Sequence, residues 1–144
     1  MKKKMVVALG FVLLAAVACH KKAPQSSVGE TMGPVPVTEL KTVYFDFDVA
    51  TVRDDQVDTL LADAAVLKDK TYNVTVEGHC DERGTNEYNL ALGDHRARAV
   101  KDYLVNLGID PGRMSVASYG EERPACMEHD ESCWWQNRRG QFLK

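Results

Sequence analysis

Alternating apolar and polar residues predict the first two of four β-strands in the chain after residue 41. In the first strand Val43, Phe45 and Phe47 fall on one face, and in the second Val74 and Val76 do so. Two further strands are predicted later in the chain. The predicted strands are residues 42–47, 72–78, 114–119 and 139–143.

Apolar residues spaced three and four positions apart separate these strands and predict amphipathic helices. Gly93 interrupts the second of these patterns, which indicates either a kink or a short helix joined to a longer one. The predicted helices are residues 54–69 and 86–107, with a helical turn at 132–137.

The resulting order β-α-β-α-β-(α)-β predicts an α+β fold. The two long helical segments are sufficient to connect parallel neighbouring strands. We therefore expect a two-layer sandwich: a mixed four-stranded sheet with the main helices packed on one face. This domain is predicted to span residues 41–144.

The first eighteen residues have the pattern of a secretory signal peptide. A basic start is followed by an uncharged, mostly apolar run, Met5 to Ala18. This run is shorter than the about 20 residues that a membrane-spanning helix needs. We predict that residues 1–18 are removed as a signal peptide.

The segment Ala16-Val17-Ala18-Cys19 resembles the lipobox of bacterial lipoproteins, although that family prefers Leu where Ala16 stands. The resemblance implies lipidation of Cys19, while ordinary cleavage beside an incidental cysteine is the alternative. His20 stands where Asp would favour retention in the inner membrane, so the resemblance implies an outer-membrane location. Residues 19–40 are predicted to be the lipidated cysteine and a flexible periplasmic tether, because they have few large apolar side chains.

The overall charge gives no reason to expect nucleic-acid binding. The whole chain has a formal net charge of −3. Loss of the three lysines near the start would make the remainder more acidic, whereas nucleic-acid binding favours a basic face.

A polar loop, residues 79–85, joins the second strand to the second long helix and carries a candidate binding site. Helix N-termini offer free backbone N–H groups and the positive end of a dipole. Asp81 lies in the loop and Arg96 on the helix. A carboxylate and a guanidinium held apart on a rigid frame would suit a ligand that carries both an ammonium and a carboxylate.

Several sequence blocks between residues 42 and 143 resemble the peptidoglycan-associated lipoprotein family of the Tol–Pal system and, more broadly, the C-terminal domain of outer-membrane protein A. The blocks occur in the family's order behind a lipoprotein-like start. They are Val43–Asp48, Gly78–Thr85, Glu87–Gly93, Arg96-Ala97, Ser118–Pro124 and Asn137–Arg139.

The resemblance implies an outer-membrane lipoprotein without enzymatic activity or cofactor. In the family the domain binds peptidoglycan non-covalently through the meso-diaminopimelate of the stem peptide. It thereby tethers the outer membrane to the cell wall and supports envelope integrity and cell division. The resemblance also implies a second partner, a TolB-like β-propeller.

By the same resemblance, Asp81 and Arg96 hold the charged tip of diaminopimelate. We expect both alanine variants to lose peptidoglycan binding and to keep the fold. The resemblance further places six residues at or beside this pocket: Phe45, Asp46, Thr85, Asn89, Leu92 and Arg139.

Four cysteines need separate assignments. If Cys19 is lipidated, three remain, and in an oxidising periplasm Cys126 and Cys133 are the favoured disulfide. Cys80 would then be a free, packed thiol, and the alternative is that Cys80 pairs instead.

A competing hypothesis is an enzyme or a zinc site. His79, Cys80 and Asp81, together with His95 or His129, contain the residue types of a cysteine nucleophile or a zinc centre. Adjacent side chains at the end of a strand diverge, however, and no established metal or nucleophile motif occurs. The sequence therefore favours a binding protein without a metal.

Overall fold

A computed structural model of the chain describes residues 39–144. The predicted signal peptide, the predicted lipidation of Cys19 and the predicted tether up to residue 38 lie outside the described residues. None of the described helices combines the length and apolar character needed to cross a bilayer.

The described residues form four strands and three α-helices in the predicted order. Short 3-10 turns at Asp54–Gln56 and Pro111–Arg113 precede the first helix and the third strand. The elements are β1 (Val43–Tyr44), α1 (Val57–Asp69), β2 (Val74–His79), α2 (Asn86–Asn106), β3 (Met114–Gly120), α3 (Glu131–Asn137) and β4 (Arg139–Leu143).

The four strands form one mixed sheet in the order β1-β4-β2-β3. β2 and β3 are parallel, and α2 provides the crossover between them. β4 returns between β1 and β2 and is antiparallel to both. α2 packs across β2, β3 and β4, and α1 packs against α2. The prediction of a mixed four-stranded sheet covered by the main helices is confirmed.

α2 runs without interruption from Asn86 to Asn106, so the alternative of a short helix joined to a longer one at Gly93 is not found. Gly93 instead permits close contact with the sheet, since a Cβ built on Gly78 would lie 1.7 Å from the Gly93 carbonyl oxygen. The two glycines therefore bring the middle of α2 directly onto the end of β2. This contact places the helix beside the loop that begins at Cys80.

β1 is shorter than predicted. The ladder with β4 ends at Tyr44, and one further bond joins the Phe45 N–H to the Arg138 carbonyl at 2.9 Å. Asp48 then adopts a left-handed backbone conformation, φ 57°, which turns the chain away from the sheet. The predicted strand therefore becomes a loop after Phe45.

Leu40 corrects the predicted boundary of the domain. Its side chain is buried in the hydrophobic core with Val43 and Leu60. The adjacent Lys41 N–H donates to Asp63 at 2.9 Å, which fixes the chain against α1. The folded domain thus includes Leu40, which was expected to belong to the tether.

Cys126 and Cys133 are joined in a disulfide, with their Cα atoms 5.1 Å apart. This is the pairing that the sequence favours. Cys80 is a free and buried thiol. The disulfide connects the loop before α3 to the helix itself.

Candidate functional site

A cavity of about 230 Å³ lies where the loop after β1, the loop after β2 and the first turns of α2 meet. It contains carboxylates and guanidiniums among aromatic and aliphatic groups. Its lining residues are Phe47, Asp48, Cys80, Asp81, Arg83, Gly84, Tyr88, Asn89, Leu92, Arg96 and Arg138.

The loop between β2 and α2 is held in place by the start of the helix. Thr85 is the N-cap of α2, and its hydroxyl accepts from the Tyr88 N–H at 3.2 Å. The buried Asn89 amide donates to the carbonyls of Asp81, at 3.2 Å, and Arg83, at 3.3 Å. The helix N-terminus therefore positions the loop that carries the candidate carboxylate.

Asp81 is only 3% exposed, and both of its carboxylate oxygens are hydrogen-bonded. Oδ1 accepts from the backbone N–H and from Nε of Arg83, each at 3.1 Å. Oδ2 accepts from Arg83 Nη2 at 2.7 Å and from Arg138 Nη1 at 3.1 Å. Burial opposes ionisation, but the bonds from Arg83 outweigh it and lower the pKa of Asp81. The cavity thus contains a stable carboxylate.

Arg96 is fully buried at the base of the same cavity. Its guanidinium donates to the carbonyls of Val49 at 2.9 Å, His79 at 2.8 Å and Asp46 at 2.9 Å. It also donates to the Cys80 sulfur at 3.3 Å. Burial lowers the pKa of the Arg96 guanidinium from its ordinary value. Arg96 therefore connects the loop after β1 to the end of β2.

The guanidinium of Arg96 retains one free donor. A guanidinium has five N–H groups, and four of them make the bonds just described. Within residues 39–144, the second N–H of Nη2 has no hydrogen-bond acceptor. A ligand carboxylate in the cavity could accept this bond.

The structure brings four of the predicted site residues to the cavity: Asp81, Arg96, Asn89 and Leu92. The opposed charges expected from the sequence thus line one opening. Asp81 and Arg96 are, however, less accessible than the sequence suggested, because each is already bonded within the protein.

Three other predicted residues do not line this cavity. Phe45 is buried in the core, with the Arg96 guanidinium carbon 5.4 Å from its ring centroid. The Asp46 side chain faces outward and lies 3.2 Å from Arg53, so Asp46 contributes only its carbonyl. The Thr85 hydroxyl caps α2.

Arg139 also lies elsewhere, which corrects its predicted place near the cavity. Its neighbour Gly140 faces α2, since a Cβ there would lie 3.1 Å from Val100. Side chains alternate along a strand, so Arg139 points to the opposite face of the sheet. It bonds there to Gln141 at 2.8 Å and to the Arg123 carbonyl at 3.2 Å. Arg138, rather than Arg139, lies beside Asp81, with 3.1 Å between Nη1 and Oδ2.

Sequence reasoning missed several residues at the mouth of the cavity. Phe47 and Tyr88 are 53% and 51% exposed there. The Tyr88 hydroxyl donates to the Asp48 carboxylate, which joins α2 to the loop after β1. Two aromatic positions flanking a charged loop were the signal that could have identified this apolar rim.

The geometry does not support a cysteine nucleophile or a metal centre. Burial raises the pKa of the Cys80 thiol to about 11, so little thiolate is present near neutral pH. His79 is buried and stacks on Tyr119 with the ring centroids 5.7 Å apart. Among residues 39–144, no three His, Cys, Asp or Glu side chains are grouped so that they could hold a metal ion.

Comparison with known proteins identifies the family. The OmpA family model matches residues 44–132 of the chain. The peptidoglycan-associated lipoprotein of Pasteurella multocida is 44% identical, over 96% of this chain and 97% of that protein. The chain belongs to the OmpA family and, within it, to the peptidoglycan-associated lipoproteins.

Two further relatives agree with this assignment. The peptidoglycan-associated lipoprotein of Haemophilus influenzae is 43% identical, over 95% of this chain and 94% of that protein. The crystal structure of the peptidoglycan-associated lipoprotein from Burkholderia pseudomallei is 43% identical and has a TM-score of 0.69. That match covers 72% of this chain and 88% of the solved chain. Membership of this family confirms the predicted fold class and identifies a structural protein rather than an enzyme.

Proposed function

We propose that this protein is an outer-membrane lipoprotein that binds peptidoglycan without covalent chemistry and links the membrane to the cell wall. The names of its relatives and the resemblance of Ala16–Cys19 to a lipobox support this proposal. Acyl chains on Cys19 supply the membrane end of the link. Replacement of Cys19 by Ser should release the protein from membranes, and unchanged membrane retention would contradict the anchor.

The cavity beside α2 is the wall-binding site, and its ligand is the meso-diaminopimelate side chain of the stem peptide. This side chain ends in an ammonium and a carboxylate. The single observation that carries the proposal is that Asp81 and Arg96 line the same opening of about 230 Å³. Asp81 receives the ammonium, and the free N–H of Arg96 binds the carboxylate.

The neighbouring residues suit the aliphatic part of the same ligand. Leu92 and Phe47 also line the cavity. The ligand's methylene groups would pack against these side chains as its charged tip enters. Apolar walls with a few oriented polar groups are the usual arrangement of small-ligand sites.

Individual links are weak enough to reverse. A hydrogen bond to a charged group contributes about 1.5–3 kcal/mol, and only a few form at each site. Mechanical attachment of the membrane therefore arises from many copies acting in parallel.

A TolB-like β-propeller is the proposed second partner, as part of a Tol–Pal system that supports envelope integrity and cell division. The resemblance of the blocks around Asp81 and Arg96 to this family supports the proposal. Recovery of such a propeller with the acylated protein after cross-linking would agree with it. Repeated recovery of the protein without any propeller would contradict it.

Co-sedimentation of detergent-solubilised full-length protein with purified sacculi tests the wall-binding site. Asp81→Asn removes the carboxylate charge with almost no change in shape. We expect it to raise the Kd for sacculi at least about tenfold, since one charge-assisted contact is lost. Asp94→Asn, on the outer side of α2, removes the same charge away from the cavity and should bind like the original protein.

A second test changes the ligand rather than the protein, by comparing binding to sacculi that have two different stem peptides. Replacement of diaminopimelate by lysine removes the tip carboxylate but keeps the ammonium. Binding should fall in lysine-containing sacculi. Equal sedimentation with both kinds of sacculi, or full retention by folded Asp81→Asn protein, would refute this site.

A further inference from the structure

The carboxylate of Asp81 has no unused acceptor position. A carboxylate offers about four lone-pair sites. Arg83 occupies three of them, through its backbone N–H, Nε and Nη2, and Arg138 occupies the fourth. A ligand ammonium can therefore reach Asp81 only by displacing one of these donors.

Arg138 is not the donor that moves. Its guanidinium is buried, and Nε donates to the Phe45 carbonyl at 3.1 Å. Its two terminal nitrogens also bond to the Glu131 carboxylate. Withdrawal of Arg138 would break bonds to two other groups in addition to Asp81.

Arg83 differs because it lies in a surface loop with its side chain about one-third exposed. The guanidinium carbon is 3.9 Å from the Phe47 ring centroid and 4.2 Å from that of Trp134. Contact with two aromatic faces stabilises a cation without using its hydrogen-bond donors. The guanidinium can thus leave Asp81 and remain between the two rings.

Glu131 provides a second carboxylate for Arg83. Nη2 of Arg83 lies 2.7 Å from Asp81 Oδ2 and 3.7 Å from Glu131 Oε2. A small rotation between the rings would exchange one oxygen for the other. Because Glu131 can replace Asp81 as its partner, the Arg83 guanidinium can be displaced without becoming an unpaired charge.

Building on the proposed function, we propose that Arg83 determines specificity by occupying the ammonium position at Asp81 in the ligand-free protein. The ammonium of the wall peptide replaces the Arg83 guanidinium, which moves to Glu131. Only a ligand with a cationic group can replace Arg83 as the hydrogen-bond donor to the Asp81 carboxylate. Peptides with carboxylates alone are therefore rejected.

The test measures binding of the free tripeptide L-Ala-γ-D-Glu-meso-diaminopimelate to full-length, detergent-solubilised protein by calorimetry. Arg83→Gln removes the competing charge and should lower the Kd about two- to fivefold, the range expected for a partly exposed ion pair. Arg83→Lys keeps a competing cation and should therefore show a smaller gain in affinity than Arg83→Gln. Arg98→Gln, on the exposed side of α2, makes the same charge change elsewhere and should have no effect.

The Arg83 Nε–H signal in a nuclear magnetic resonance spectrum tests the displacement directly. In ligand-free protein this proton should exchange slowly with solvent, and Asp81→Asn should accelerate its exchange. The tripeptide should also accelerate it, whereas the same peptide acetylated on its tip ammonium should not.

The outcomes separate this inference from the wall-binding proposal. If the original protein binds the tripeptide but Arg83→Gln binds it equally or more weakly, the displacement idea is overturned and the site stands. Unchanged Nε–H exchange on tripeptide binding would likewise overturn the displacement and leave the site in place. If neither the original protein nor Arg83→Gln binds the tripeptide, both proposals fail.

Discussion

Replacement of Arg96 should destabilise the domain as well as weaken ligand binding. The sequence alone suggested that an alanine here would leave the fold intact. In the structure the guanidinium binds three backbone carbonyls from two separate segments. Arg96→Met keeps most of the side-chain volume but removes every donor, so these carbonyls lose their partner.

The magnitude follows from the environment of each bond. The bond to His79 is buried, and a buried acceptor left unsatisfied costs about 1–3 kcal/mol. The bonds to Val49 and Asp46 are half-buried, and each contributes about 1 kcal/mol because water can partly replace it. Removing a buried charge returns part of this loss. We therefore expect Arg96→Met to lower the free energy of unfolding by about 3 kcal/mol.

Denaturant unfolding followed by circular dichroism measures this loss. Arg96→Lys is the matched variant: its single ammonium can reach some but not all of the carbonyls, so its loss should be about half as large. Arg98→Met on the exposed face of α2 is the control and should change the unfolding free energy by less than about 0.5 kcal/mol. A loss below about 1 kcal/mol for Arg96→Met would refute the structural role assigned to this guanidinium.

Three other predictions concern stability. Burial raises the pKa of Asp63 to about 6, so its ionisation opposes folding and stability is lost as the pH rises from about 4 through 6. Across this interval the free energy of unfolding of Asp63→Asn should therefore rise by about 3 kcal/mol relative to that of the original protein. Asp58→Asn, on the exposed side of α1, should show no such gain. If the unfolding free energies of Asp63→Asn and the original protein change with pH in parallel, ionisation of Asp63 is not the cause. Replacing Cys126 and Cys133 by Ser should lower the unfolding free energy by about 2 kcal/mol, and a reducing agent should lower only that of the original protein; equal sensitivity of both proteins would count against the disulfide. Gly78→Ala should lower the free energy of unfolding by about 3 kcal/mol, because its Cβ would lie 1.7 Å from a backbone oxygen of α2. An unchanged melting temperature in thermal unfolding would contradict this close contact.

Local patterns were sufficient for most of the secondary structure. α2 and β4 lie almost where the sequence predicted them. The error at β1 is instructive, because the alternation of Phe45 and Phe47 continues beyond the end of the strand. The turn at Asp48 depends on a left-handed backbone and on carbonyls that bond to Arg96, which alternation along the chain does not encode.

At the candidate site, too, the sequence predicted the local features and missed those that depend on tertiary contacts. The sequence was sufficient to select Asp81 and Arg96 and to place them on a loop and the following helix, because their types and spacing are local facts. It could not indicate that Arg138 already bonds to the carboxylate, since Arg138 lies 57 positions away from Asp81. Nor could it distinguish Arg138 from Arg139, because that choice depends on which face of the sheet each one meets.

The sequence by itself determined the order of the elements, the class of fold and the two charges of the candidate site. Only the tertiary structure decided how far those charges are free to meet a ligand. The physical reason is that periodicity depends on near neighbours, whereas the accessibility of a buried charge depends on distant groups that folding brings within hydrogen-bonding distance.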